Sequence, residues 1–206
     1  MDNELKKILS QIRLLAIERG VDNISLEVIC KQLNIEESLL RKYVKDERDL
    51  VAKVLEFERN SFKDIFDEFD FEGKNAIDIL MIVSKEIAGR YYDVTPTISR
   101  ALKESYPVVY QEHFQIRSDF IYMKIQINLQ KGISQAMYRD DLSIELIARL
   151  YLTRLIDLHN EEVFPSDQFS FETVFEVLFE NFVRSIATTE GLKYFENKKR
   201  KMDFSK

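Results

Sequence analysis

The sequence is short of the residues that break or staple a chain. It has 5 glycines and 3 prolines in 206 residues, a single cysteine, two histidines and no tryptophan. One cysteine, Cys30, excludes an intramolecular disulfide and points to a reducing compartment. No apolar run approaches the roughly 20 residues that a membrane span needs. The opening "MDNELKKILS" has no apolar signal-peptide core, so a cytoplasmic protein is expected. Two histidines, in no E-x-x-H or H-E-x-x-H spacing, leave zinc hydrolysis and di-iron chemistry without ligands. There is no G-x-x-x-x-G-K phosphate loop and no G-x-S-x-G elbow. No enzyme activity, metal or cofactor is therefore expected. The formal net charge of −6 has the wrong sign for a generic nucleic-acid binder, although one small face can still do the contacting.

What is present is helical spacing. Leu5, Ile8, Leu9, Ile12, Leu15 and Ala16 recur in steps of three and four, which predicts a helix over 4–19 ended by Gly20. Ser25 is a candidate N-cap for "LEVICKQL", and Asn34 a turn residue tolerant of positive φ. A short helix is expected over about 36–44, with Leu40 and Val44 on its inner side. A long one should follow, from near Asp46 to about Phe69. Further helices are predicted over 76–92, 97–105, 107–136, 144–160 and 171–188, with Ser143 as an N-cap. Gly191 reads as a stop or kink, and "KYFENKKRKMDFSK" as a frayed basic tail. The expected fold is all-α, with about nine helices: three short ones, then six mostly longer. Alternating strand patterns are scarce, and no repeat or low-complexity linker is visible.

Residues 8–50 resemble the DNA-binding domain of TetR-family transcriptional regulators. The family's E-R-G is Glu18, Arg19 and Gly20. Its T-S position holds Ile24 and Ser25, and its I-A pair is Ile29 and Cys30. Ile35, Leu40, Tyr43 and Leu50 fall where relatives carry apolar or aromatic residues. "KGISQAMYRDDLS" (131–143) is similar to the loop before the dimerisation helices. The chain also departs from the pattern. The usual G-V-S is Asn34, Ile35 and Glu36, a phosphate-holding tyrosine is Arg41, and the lysine that opens the fourth helix is Glu47.

The resemblance implies a helix-turn-helix domain over 1–48 and a ligand-binding and dimerisation domain over 49–206. It further implies a ligand-responsive regulator, usually a repressor, that binds a palindromic double-stranded DNA operator as a homodimer. With Leu40 and Val44 facing inward, Glu37, Ser38, Leu39, Arg41, Lys42 and Tyr43 are left to face a groove or its rim, joined by Ser25 and Lys45. Arg41 and Lys42 can hold phosphates or pair with guanine O6 and N7. Tyr43 can donate to phosphate, Leu39 can touch a thymine methyl, and the helix start at Ser25 can cap a phosphate. Glu36 and Glu37 either complement the helix dipole, or accept from cytosine N4, or repel DNA. Across residues 1–50, nine Lys and Arg meet ten Asp and Glu, so this is not a strongly basic module. The alternative is a dimeric small-molecule-binding protein of the same fold whose operator binding is weakened or lost.

The family pattern also implies an unidentified small-molecule effector. Candidate contacts are polar or aromatic residues at otherwise apolar positions: Tyr91, Tyr92, Arg100, Tyr110, His113, Phe114 and Arg117. The homodimer is expected through about 144–160 and 171–188, whose helices are too apolar to face solvent.

Overall fold

Asp2 begins the first helix by accepting hydrogen bonds from the N–H groups of Glu4 and Leu5. That satisfies two of the four donors left open at any helix start. In this computed structural model the described residues are 2–20, 25–91, 96–158, 160, 162–165 and 167–203. They form ten helices: α1 (Asn3–Arg19), α2 (Leu26–Leu33), α3 (Glu37–Leu40), α4 (Glu47–Glu68), α5 (Ala76–Tyr91), α6 (Pro96–Ser105), α7 (Pro107–Ser134), α8 (Ile144–Asp157), α9 (Phe171–Ile186) and α10 (Thr189–Asp203). Their β structure amounts to one isolated bridge, Tyr138 to Ala187. The all-α expectation holds. Pro96 and Pro107 each take the first position of a helix, where a missing N–H costs nothing. No helix among the described residues is long and apolar enough to cross a membrane.

The chain divides into two compact units. One contains residues 1–68 and 93–117, the other 69–92 and 118–206. In the first, α1 buries Leu5, Ile8, Leu9, Ile12 and Ala16 against Leu26 and Ile29 of α2, Leu40, Val44, and Leu50, Val51, Val54 and Leu55 of α4. Each fully buried aliphatic side chain of this kind stabilises by roughly 1.5–3 kcal/mol. In the second, Ala76 and Ile77 of α5 pack with Ile125 and Leu129 of α7, Ala148 and Tyr151 of α8, and Phe179, Phe182, Val183 and Ile186 of α9. The Tyr151 and Phe182 rings stack at 3.7 Å, joining α8 to α9.

Three expectations need correction. As far as Asp203 the basic C-terminal stretch is not a frayed tail but helix α10, with Phe195 only 1% exposed; residues 204–206 of that stretch lie outside the described residues. Thr188 caps it by accepting from the N–H of Gly191, and its own hydroxyl donates to the carbonyl of Ala136. Gly191 is no stop: it is a buried residue whose missing Cβ leaves room for the Met137 carbonyl. Two of the lysines there are partnered as well, Lys198 with Asp78 at 3.0 Å and Lys199 with Glu180. The third helix is also shorter than 36–44, because after Leu40 the chain tightens. Lys42 and Tyr43 donate to carbonyls three residues back, at Leu39 and Leu40.

Candidate nucleic-acid interface

The α2–turn–α3 unit is built by three local devices. The Ser25 hydroxyl accepts from the Val28 N–H at 3.2 Å and starts α2. Asn34 ends it in the left-handed conformation, φ 51° and ψ 47°, with its N–H on the Cys30 carbonyl. Few residues other than Gly and Asn accept that backbone without strain. The chain then reverses through Ile35 into α3, which Leu40 anchors as a fully buried side chain.

This leaves Glu37, Ser38, Arg41, Lys42 and Lys45 exposed. Leu39 is half-buried against the first unit's core rather than standing free, and Tyr43 is half-buried beside it. Two of the side-chain donors on this face are already engaged by the chain's own carboxylates. Arg41 Nε donates to Glu37 Oε1 at 2.6 Å. Tyr43 Oη donates to Glu4 Oε2 at 2.8 Å, and that bond to a carboxylate pushes the phenol up to about 12. The backbone N–H of Lys45, not its ammonium, donates to Asp49 Oδ2 at 2.9 Å. Glu47 Oε1 accepts from the Leu26 N–H at 3.4 Å, so this glutamate acts as a distant cap on α2. Ile24, in the T-S position, lies outside the described residues.

Cys30 is half-buried against the core, and burial, with Glu37 nearby, raises its thiol further. It is a packing residue, not an activated nucleophile.

The candidate effector residues fall into separate places. Tyr110, His113 and Phe114 lie together on α7, with Tyr110 and Phe114 stacked at 6.3 Å. Arg117 follows one turn on. His113 is 5% exposed, and Arg59 Nη1 lies 3.1 Å from its Nδ1. Burial is the main reason its imidazole is lowered to about 3, with the charges of Arg117 and Arg59 adding to it. His113 is therefore neutral at physiological pH, and its Nδ1 accepts from the guanidinium. Arg100 is exposed on α6. Tyr92 and the side chain of Tyr91 lie outside the described residues. Sequence reasoning missed Arg59, Glu4 and Asp49, because each sits in a charge-rich helix stretch that reads as a solvated face. Among the described residues no group of three or more His, Cys, Asp or Glu side chains could hold a metal ion.

No family model matches the sequence, and comparison with curated proteins finds no relative. Solved structures do match. A protein of Saccharomonospora viridis, assigned as a transcriptional regulator and solved in complex with choline, has TM-score 0.74 at 15% identity, over 91% of this chain and 100% of that one. A TetR transcription regulator from Haloarcula marismortui gives 0.73 at 17%, over 91% and 100%. A transcriptional regulator from Cytophaga hutchinsonii gives 0.73 at 16%, over the same shares. At these identities the likeness is one of fold: the chain has the all-α architecture of TetR-type regulators.

Proposed function

We propose that this protein is a DNA-binding transcriptional regulator, a repressor that meets a palindromic operator as a homodimer and releases it on binding a small effector. The observation that carries this reading is the α2–turn–α3 unit, which gathers Arg41, Lys42, Tyr43 and Lys45 just beyond the end of one short helix. Guanidinium and ammonium groups would supply phosphate affinity, while the exposed side chains of α3 would meet base edges. The domain boundary at about residue 48 follows from the same reading, with α4 leading out of the head.

The dimer would form through α8 and α9. Leu146 and Leu150 stand one turn apart on α8 and are each 60% exposed, and Val177 on α9 is 56% exposed. Such side chains on two neighbouring helices suit a four-helix contact with the same helices of a second copy. A two-fold pair matches the geometry by which helix-turn-helix heads read half-sites. The effector would engage Tyr110, His113, Phe114 and Arg117, with Arg59 held in place by His113. The choline complex of a structural neighbour supports a small-molecule role for this fold.

A second reading has its own support. Glu37 on Arg41 and Glu4 on Tyr43 occupy two of the donors that DNA needs. On that reading the fold is kept as a dimeric small-molecule-binding protein and operator binding is weak or lost. Selection from random duplex DNA, repeated at two salt concentrations, separates the two. An enriched palindrome that is lost on Arg41→Ala supports the regulator. No enrichment even at low salt, from a folded dimer, supports the second reading.

A further inference from the structure

We infer that the second compact unit carries a binding cleft for an amphipathic anion, a small molecule with one acidic head and a short hydrocarbon part. The cleft is about 410 Å³ and is lined by Phe69, Lys74, Asp78, Met81, Ile82, Lys85, Glu86 and Lys198. That volume is in the range of small-molecule sites, roughly 300–1,000 Å³. None of these residues is among the effector candidates, and all of them belong to one unit.

The lining has two chemical parts. Met81 and Ile82, half-buried on one face of α5, and Phe69 supply an apolar surface. Asp78, Lys85 and Glu86 lie on the same face of α5, at helical spacing from Met81 and Ile82. Three ammonium groups meet two carboxylates, so the cleft has one positive charge in surplus. Asp78 is spent: one oxygen accepts from Tyr194 Oη at 2.7 Å and the other lies 3.0 Å from Lys198 Nζ. Lys198 is thereby committed to Asp78. Lys74 and Lys85 make no ion pair among the described residues. A lysine without a carboxylate partner at the edge of an apolar surface can hold an acidic head while the surface takes the hydrocarbon.

The charge pattern also excludes alternatives. A quaternary ammonium would meet the surplus positive charge and gains no aromatic cage here, since Phe69 is the one aromatic ring in the lining. A neutral alcohol of the same length would gain the apolar contact and leave the lysines unused.

The test uses decanoate, decanol and decyltrimethylammonium as probes on the full-length chain. Calorimetry should give saturable binding of one decanoate per chain, with decanol at least about tenfold weaker and the cation showing none. The doubly substituted Lys74→Met, Lys85→Met chain should weaken decanoate at least about tenfold and bring it close to decanol. Location is read separately. The chain has no tryptophan, so Ile82→Trp places a single reporter in the cleft, and its emission should shift on adding decanoate with the same midpoint. The proposal is overturned by absence of saturable decanoate binding, by equal binding of decanol, or by unchanged affinity in the double variant. It is equally overturned if decanoate binds while the reporter in a folded Ile82→Trp chain stays silent. None of these readouts depends on DNA, so failure here leaves the regulator reading standing, and the reverse.

Discussion

The Tyr43 hydroxyl is donated to Glu4, 39 residues earlier in the chain, across 2.8 Å. This bond ties the turn after α3 to the first turn of α1, and it uses the proton that a DNA phosphate would need. Glu4→Gln removes the charge that competes with phosphate and leaves an amide oxygen that still accepts. DNA affinity should rise about fivefold, the equivalent of roughly 1 kcal/mol, at low salt. Tyr43→Phe should lower it. Titration of labelled duplex by anisotropy measures both, and an unchanged affinity for Glu4→Gln would remove the carboxylate from the account.

His113 links stability to acidity. Its folded value, about 3, lies below the unfolded value of 6.5, so the unfolded chain takes up the proton first. The stability that this group contributes is fully present above pH 6.5 and drains away as the pH falls from there toward 3. Between pH 6.5 and 5 the slope from this one group approaches about 1.4 kcal/mol per pH unit. Urea unfolding at pH 7.5, 6.5, 5.5 and 5.0 should show the decline. His113→Gln costs stability at neutral pH but should flatten the curve over that window; an equally steep curve in the variant assigns the effect to other groups.

Two glycines should respond to alanine with opposite signs. At Gly191 the new Cβ would lie 2.1 Å from the Met137 carbonyl oxygen, a backbone atom with no flexible side chain to move aside. Gly191→Ala should cost about 2 kcal/mol or more. At Gly89, inside α5, a Cβ meets nothing within 4 Å, and Gly89→Ala should stabilise by roughly 0.5–1 kcal/mol. Thermal melts of the two variants side by side decide it.

Charge placed on the exposed face of α8 tests assembly. Leu146→Glu with Leu150→Glu should convert a dimer to a monomer without loss of helical signal, read by light scattering and circular dichroism. A dimer that survives both substitutions would put the contact elsewhere.

Much of this architecture was legible in the residues. The three-and-four spacing of Leu5, Ile8, Leu9, Ile12 and Ala16 marks α1, all five are buried, and α2 runs where Ser25 and Asn34 bracket it. Helix α10 was not legible. Its five lysines and arginines outnumber its four apolar residues, and its anchors, Leu192, Tyr194 and Phe195, are meaningful only beside Asp78, Met137 and α9. Glycine at 191 looks like a breaker until the Met137 carbonyl is seen where its side chain would be. The engagement of Arg41 and Tyr43 was hidden for a similar reason. Sequence spacing shows Glu37 and Arg41 four apart, but nothing local brings Glu4 to Tyr43.

Both compact units are discontinuous along the chain, and this bears on how the protein is made. Residues 93–117 complete the first unit only after α5 has left the ribosome, and α5 itself packs with α9, whose residues come about 100 positions later. At roughly 5–20 residues per second, the side of α5 that meets α9 waits on the order of 5–20 s uncovered. During synthesis that side is a natural place for a chaperone to hold. Nascent chains stopped just after residue 135 should therefore be cut by protease within α5, and chains released at full length should not.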